Sequence, residues 1–129
     1  MINNKVKYWI EISEEDLETA EILFNKNKYL YAGYFLQQSV EKIIKAYYQM
    51  TKNDLPPRTH NLVYLAEVTG LINELTDGKE NILYTLNPLN IETRYPEYRE
   101  KISKSLTKVR LNKILDETKE FHKWIKRKF

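Results

Sequence analysis

Apolar residues recur every three to four positions between Tyr29 and Lys52, which is the spacing that keeps one face of an α-helix turned toward a core. The repeat comprises Leu30, Gly33, Leu36, Val40, Ile43 or Ile44, and Tyr47. A second line along the same segment is polar, and it consists of Gln37, Glu41 and Lys45, with Gln38 and Lys42 beside them. The pattern predicts a central helix that carries amide, carboxylate and ammonium groups along one side of a mostly apolar rod.

The segment from Val6 to Phe24 has the same helical spacing of apolar residues, with Glu and Asp on its other side. The sequence Ser13-Glu14-Glu15-Asp16 has the form of a capping box, but the apolar stripe runs through it unbroken, so the pattern favours one long helix. The break falls at residues 25–28. Because that connection is short, we expect the two helices to lie antiparallel as an αα-hairpin.

The middle of the chain contains shorter elements. Residues 53–60 form a predicted loop, because the proline pair at 56–57 ends a helix. A short helix follows from Leu62 to Val68, capped by Asn61 or Thr59 and closed by Gly70. A turn at 76–78 leads to another short helix through residues 82–86, which Pro88 interrupts, so residues 89–95 are expected to be kinked or irregular.

A long final helix is predicted from about Ser103 to the end of the chain. Its apolar positions are Leu106, Val109, Ile114, Phe121, Trp124 or Ile125, and Phe129. With 129 residues the chain has the size of one domain, spanning residues 1–129. The predicted fold is all-α: an up-and-down antiparallel bundle of four to five helices, two of them long at the N-terminus and one long at the C-terminus.

The amino-acid composition limits which cofactors and which cellular location we expect. The chain has no cysteine and two histidines, so neither disulfides nor a recognisable set of metal ligands is expected, and no cofactor is indicated. No run of residues approaches the length of a membrane span, and the first residues lack the apolar core of a signal peptide. We therefore expect a cytoplasmic protein without membrane contact.

The net charge of +3 is unevenly distributed. Residues 1–50 hold six Lys and Arg against seven Asp and Glu, whereas residues 97–129 hold eleven against five. Such a basic surplus is able to hold phosphates, although a solvated lysine-rich helix face is the commoner explanation. Charge alone therefore leaves contact with RNA or a nucleotide open.

Three short motifs resemble the HEPN family in order and spacing along nearly the whole chain. They are Gln37-Gln38 with Glu41-Lys42 and Lys45-Ala46 in the central helix, Thr59-His60 with Leu62 after the loop, and Arg94-Tyr95-Pro96. The resemblance implies a helical bundle similar to the C-terminal domain of aminoglycoside nucleotidyltransferases. It also implies a homodimer and a minimal nucleotidyltransferase as partner, the two proteins forming a toxin–antitoxin-like pair.

What the resemblance implies about activity is divided. Many HEPN proteins are metal-independent ribonucleases in which an arginine is followed after four to six residues by a histidine. This chain departs from that spacing, because one residue separates Arg58 from His60 and His122 follows Arg110 by twelve positions. The resemblance therefore favours a module that binds a nucleotide or an RNA phosphate and has little activity alone. The competing hypothesis is a metal-independent RNA endonuclease toxin in which His60 and Arg94 meet in space.

The candidate ligand-binding residues are Gln37, Glu41, Lys42, Lys45, Arg94 and Tyr95. The lysines and Arg94 would hold phosphate, Tyr95 would stack on a base, and Gln37 and Glu41 would hydrogen-bond a base or ribose. Each has a structural alternative: Glu41 with Lys45 or Arg94 is equally consistent with a buried ion pair. His60 is the candidate catalytic histidine, but a hydrogen bond between loop and helix would also account for it. Rings such as Tyr95 and Trp9 are more often core or interface residues than ligand platforms.

Overall fold

The first two predicted helices form an antiparallel hairpin in the computed structural model, which describes residues 2–129. Helix α1 spans Asn4–Asn25 and α2 spans Tyr29–Lys52, so α1 is one continuous helix through Ser13 as predicted. The side chain of Asn3 caps α1 by accepting a hydrogen bond from the Val6 amide at 3.0 Å. Asn27 adopts a left-handed conformation, with φ of 63°, in the tight turn between the helices.

Helix α2 is the centre of the bundle, and other helices pack around it. Its apolar stripe is buried, with Val40, Ile43 and Ile44 fully inaccessible to solvent. Gly33 allows a close approach, because a Cβ atom there would lie 3.1 Å from Leu106 Cδ1 and 3.2 Å from Leu89 Cδ1. The absence of a side chain at this position therefore brings two distant segments against α2.

The middle of the chain forms the predicted short elements. Helix α3 spans Leu62–Val68, and the Asn61 side chain caps it by accepting from the Tyr64 amide at 3.2 Å. Gly70 follows with φ of 78°, and a 3₁₀ turn spans Leu71–Asn73. Helix α4 spans Asn81–Leu86, and two further 3₁₀ turns, Asn87–Leu89 and Ile91–Thr93, form the irregular segment expected around Pro88.

The end of the chain departs from the prediction. Helix α5 spans Pro96–Ser105 and helix α6 spans Lys108–Lys126, so residues 2–129 contain six α-helices and the predicted start of the last helix at about Ser103 is wrong. Leu106 is buried between them, whereas Val109, a predicted member of the apolar stripe, is 83% exposed. No glycine or proline marks the break, and Leu106 packs against α2 at Gly33 where the chain turns.

Thr107 starts α6, since its side-chain oxygen accepts a hydrogen bond from the Arg110 amide at 3.2 Å. We expect Thr107→Ala to lower the free energy of unfolding by about 1 kcal/mol, because the amide loses its capping partner. Thr107→Ser keeps the hydroxyl and is expected to retain most of that stability. Urea denaturation of both variants checks this, and equal midpoints for Ala and Ser would contradict the capping role.

No helix within residues 2–129 combines the length and apolar character required to cross a membrane. The fold class is confirmed as an all-α bundle with two long N-terminal helices and a long C-terminal one.

Candidate functional site: a buried carboxylate behind a polar cleft

The polar row predicted on α2 faces the protein interior. Gln37 and Glu41 are almost completely buried, and Lys45 is 7% exposed. Polar groups in such surroundings are costly unless other protein groups hydrogen-bond them. The row is accordingly organised around internal partners rather than open to solvent.

Glu41 is the centre of this network. Its Oε1 lies 2.9 Å from His60 Nδ1, and its Oε2 lies 3.0 Å from Lys45 Nζ and 3.7 Å from Lys42 Nζ. Burial by itself would raise the pKa of Glu41, but the charges of Lys42 and Lys45 and the hydrogen bonds from His60 and Lys45 outweigh it, so the pKa lies below its usual value. Glu41 is therefore an ionised carboxylate that contacts His60, Lys42 and Lys45. Its buried ion pair is the one with Lys45.

Two glutamines extend the network along α2. The Gln38 amide donates to Gln37 Oε1 at 2.7 Å, and Lys42 Nζ donates to Gln38 Oε1 at 2.7 Å. Gln37 Nε2 donates both to Glu41 Oε1 at 3.3 Å and to the His60 carbonyl at 3.2 Å. An unbroken set of hydrogen bonds thus runs from Lys42 to the backbone and ring of His60, which holds the loop residue against the helix.

His60 is the exposed end of this network, with 58% of its side chain accessible to solvent. Because Nδ1 contacts the Glu41 carboxylate, Nε2 is the ring nitrogen left for another partner. A carboxylate that holds one nitrogen of an imidazole and leaves the other accessible is the arrangement that orients histidine in acid–base catalysis. The hydrogen bond between loop and helix expected for His60 is present, and the same contact leaves Nε2 accessible.

A polar cleft with a volume of about 190 Å³ lies beside His60. It is lined by His60, Asn61, Asn87, Asn90, Thr93 and Arg94. His60 and Arg94 therefore line one cavity although they are 34 positions apart in the sequence. The cleft has a guanidinium, an imidazole, three amides and a hydroxyl among its lining groups, and no carboxylate, so its chemistry suits an anion.

Arg94 and Tyr95 have different surroundings. Both have extended backbone, with φ and ψ of −112° and 150° at Arg94 and −72° and 157° at Tyr95. Pro96 favours this conformation at Tyr95, the residue directly before it. The Arg94 guanidinium lies 4.7 Å from the centre of the Tyr98 ring, which steadies it beside the cleft. Tyr95 is 82% exposed and does not line the cleft. Within the described chain, its ring therefore belongs neither to the hydrophobic core nor to the wall of the cleft.

The remaining candidates support the cleft from behind. Gln37, Glu41 and Lys45, predicted to bind a ligand together with Arg94, do not line it. They form a buried network, and His60 lies between this network and the cleft. Lys42 is partly exposed at the other end of the network. The Lys45 ammonium also lies 5.8 Å from the centre of the Trp9 ring, so the partly buried indole covers the ion pair.

Three asparagines of the cleft were not predicted from the sequence. Asn87 Oδ1 accepts from the Leu62 amide at 2.8 Å, and its Nδ2 donates to Asn61 Oδ1 at 3.0 Å, so these two amides position one another. Asn90 is 4% exposed in the irregular segment after Pro88. Asparagine next to helix ends and prolines is also typical of caps and turns, so its type and position gave no distinguishing signal.

Asp16 on α1 is a further ionisable group near the network that was not predicted. Burial raises its pKa to about 6, the Lys42 charge acts in the opposite direction, and Glu15 and Glu41 raise it further. Burial likewise raises the pKa of Tyr34, with Glu92, Glu41 and Asp16 contributing in the same direction. Perturbed groups of this kind concentrate at functional sites, although structural networks also produce them.

His122, the other histidine, lies outside the site. It is 3% exposed, and its Nε2 is 3.0 Å from Ser39 Oγ. Since Ser39 Oγ donates to the Leu36 carbonyl at 2.7 Å, it accepts from His122 Nε2, and the buried Nδ1 has no hydrogen-bond partner within the described chain. Burial, with a smaller contribution from Lys126, lowers the pKa of His122 to about 3. His122 is a neutral core residue, so Arg110 and His122 do not form a catalytic pair.

The fold and the site together define the chain as an all-α bundle that carries a buried carboxylate behind an arginine–histidine cleft. Residues 6–128 match the model of the HEPN domain. The chain belongs to the HEPN domain family.

A solved structure gives the same fold. The crystal structure of TT1696 from Thermus thermophilus is similar to this chain, with a TM-score of 0.78 and 18% sequence identity. The similarity covers 98% of this chain and 100% of that one. Comparison with curated protein sequences gives no significant match. At this identity the structural likeness establishes the fold alone.

Proposed function

We propose that this chain is a HEPN module that binds a nucleotide or an RNA phosphate in the polar cleft. The observation that carries the proposal is the convergence of Arg94 and His60 on one small cavity without a carboxylate in its lining. A guanidinium with neighbouring amide donors is complementary to phosphate oxygens. Glu41 adds to this indirectly, because it holds His60 in one orientation.

The size of the cleft defines what enters it. A volume of about 190 Å³ is below the roughly 300–1,000 Å³ of cavities that enclose whole small molecules. The cleft therefore accommodates a phosphate group, while the sugar and base of the ligand remain outside. Tyr95 directly follows Arg94 and is 82% exposed. Its ring is therefore available to stack on such a base.

The surface of α5 supports RNA as a ligand. Arg94 and Tyr98 are stacked at the start of this helix, and the Arg99 guanidinium lies 5.8 Å from the Tyr31 ring and donates to its hydroxyl at 2.7 Å. Exposed aromatic rings alternating with arginines are typical of surfaces that bind single-stranded nucleic acid. The basic excess of residues 97–129 adds a favourable electrostatic contribution.

Binding is tested with Arg94→Ala against ATP, GTP and short RNAs by thermal shift and calorimetry. We expect the affinity to fall by about 10-fold to 100-fold, because a hydrogen-bonded charged group contributes roughly 1.5–3 kcal/mol and about 1.4 kcal/mol is tenfold. Arg110→Ala is the matched control, since Arg110 is exposed on α6 and its guanidinium donates to Ser105. Equal losses for both variants, or no binding by the unaltered chain, would contradict a site in the cleft.

A second candidate function is a metal-independent RNA endonuclease, and the Glu41–His60 contact of 2.9 Å is the observation that favours it. His60 would remove the proton from a ribose 2′-hydroxyl as its oxygen attacks phosphorus, and Arg94 would stabilise the charge of the phosphorane. The bond from phosphorus to the 5′-oxygen would then break, leaving a 2′,3′-cyclic phosphate and a 5′-oxygen that takes a proton from water. The same variants separate the two functions. Cleavage of RNA without metal that is abolished by both His60→Ala and Arg94→Ala supports the enzyme, whereas ligand binding without cleavage supports the module.

The proposal also includes a homodimer and a minimal nucleotidyltransferase partner in a toxin–antitoxin-like pair. Family membership and the resemblance to the helical domain of aminoglycoside nucleotidyltransferases support it. Co-expression of the chain with a minimal nucleotidyltransferase encoded beside it is expected to give one complex in size-exclusion chromatography with light scattering. Separate elution of the two proteins, or a monomeric chain, would contradict this part of the proposal.

A further inference from the structure

A second cavity, with a volume of about 380 Å³, lies between residues 75–82, which include the start of α4, and residues 116–127 in and after α6. We call it the α6 pocket. Its floor is apolar, because the buried side chains of Leu75, Ile82 and Phe121 line it. Trp124 forms one wall. Unlike the polar cleft, it is built mainly from hydrocarbon and aromatic surface, so its ligand must carry an apolar group.

Neighbouring contacts hold the α6 pocket open. The Phe121 and Trp124 rings lie 5.6 Å apart, centre to centre, and the Lys128 ammonium lies 4.8 Å from the Trp124 ring. Lys128 also pairs with Glu74, which ties the end of the chain to the segment on the other side of the pocket. Because these contacts fix the indole, the pocket is formed before any ligand arrives.

The rim of the α6 pocket is acidic on one side. Helix α6 contains three carboxylates, Asp116, Glu117 and Glu120, and all three line the pocket. The six lysines and arginines of the helix do not line it, although Lys123 Nζ lies 3.6 Å from Glu120 Oε1. Two cations from outside the helix, Lys79 and Arg127, are among the lining residues. Asp116 and Glu120 are about 6 Å apart along the helix axis, since each residue adds about 1.5 Å. In the most basic part of the chain, the carboxylates are thus concentrated at the mouth of an apolar cavity.

We infer that the α6 pocket docks a basic amphipathic segment of another protein, with an apolar side chain inserted over Phe121 and lysine or arginine side chains against the carboxylates. Charge complementarity selects this occupant, because the acidic rim repels nucleic acid and favours cations. The carboxylates extend along a turn of α6, which matches cationic side chains spaced along a peptide. The inference is independent of the polar cleft and stands whether or not the cleft binds phosphate.

The test is selection of random 12-residue peptides on the full chain. We expect enriched peptides to contain an aromatic or aliphatic residue flanked by Lys or Arg. In calorimetry with the best synthetic peptide, Asp116→Lys with Glu117→Lys is expected to weaken binding by at least about tenfold, which corresponds to about 1.4 kcal/mol. Glu97→Lys with Glu100→Lys is the matched control, because it adds the same charge on exposed positions of α5 and should bind as the unaltered chain does.

Three results would overturn the inference. Selection could yield no enriched peptide, or peptides without basic residues. The two double variants could weaken binding equally, which would show a general charge effect. Finally, the Asp116 and Glu117 double variant could change the oligomeric state in sedimentation, which would assign the α6 pocket to a second copy of this chain. Neither Arg94→Ala nor His60→Ala should alter peptide binding, so failure of the proposed function is recognised separately.

Discussion

Glu41→Ala is expected to lower the free energy of unfolding by about 3–5 kcal/mol, because removing one partner leaves the other buried charge uncompensated. That charge is the Lys45 ammonium, which lies 3.0 Å from Glu41 Oε2 and is 7% exposed. The substitution also removes the acceptor of His60 Nδ1. Since small domains are stable by only about 5–15 kcal/mol, a loss of this size is readily measured as a shift in the urea midpoint.

Two controls show whether the cause is the unpaired charge. Glu41→Leu combined with Lys45→Met should regain much of the lost stability, because replacing both members of a buried pair with apolar groups is often neutral or stabilising. Glu100→Ala breaks the exposed pair with Lys104, which has the same four-residue spacing and an N–O distance of 3.5 Å, and should cost less than about 1 kcal/mol. A Glu41→Ala effect as small as that of Glu100→Ala would contradict the role of Glu41.

Acidification is expected to destabilise the protein through His122. The folded pKa of about 3 lies below the ordinary value of 6.5, so the unfolded chain binds the proton more readily. The contribution of His122 to stability is therefore present above pH 6.5 and is lost as the pH falls toward 3. Within this window the free energy of unfolding should fall with a slope that approaches about 1.4 kcal/mol per pH unit.

His122→Gln isolates this contribution, because the amide can still donate to Ser39 Oγ but does not titrate. Two other groups complicate the curve of the unaltered chain. Asp16, with its pKa raised to about 6, gains stability as the pH falls, whereas Glu41, with its pKa lowered, loses it below the ordinary value of 4.5. The difference between the two proteins across about pH 4–7 removes both contributions. Parallel stability curves for the two proteins would contradict the buried neutral histidine.

The sequence predicted which side chains of α2 would be grouped, because a four-residue spacing fixes a helix face. It left open whether Glu41 would meet Lys45 or Arg94, since contact with a distant element depends on how the bundle packs. The partner proved to be Lys45 on the same helix, together with His60, which lies 19 positions away across the proline loop. The buried Glu41–Lys45 ion pair and the hydrogen bond of His60 to the helix, two separate possibilities in the sequence, belong to one network.

The break between α5 and α6 is a feature that the local sequence pattern did not predict. Apolar residues keep helical spacing from Ile102 through Leu106 to Val109, and no glycine or proline interrupts them. Packing contributes together with the Thr107 cap, because Leu106 lies against Gly33 while Val109 is left 83% exposed. The tertiary contact thus overrides a continuous helical pattern, as propensity alone is a weak determinant.

From the sequence by itself came the all-α class, the long hairpin, the final long helix and the motifs that placed the chain beside the HEPN family. These follow from the periodicity of apolar residues and the spacing of motifs, both of which can be read directly from the sequence. Only the tertiary structure decided that Gln37, Glu41 and Lys45 support a cleft rather than line it, that asparagines from two loops join Arg94 there, and that the carboxylates of α6 line one side of an apolar pocket. Those features arise where segments distant in the chain approach one another, and burial of the shared core, not local pattern, sets that approach.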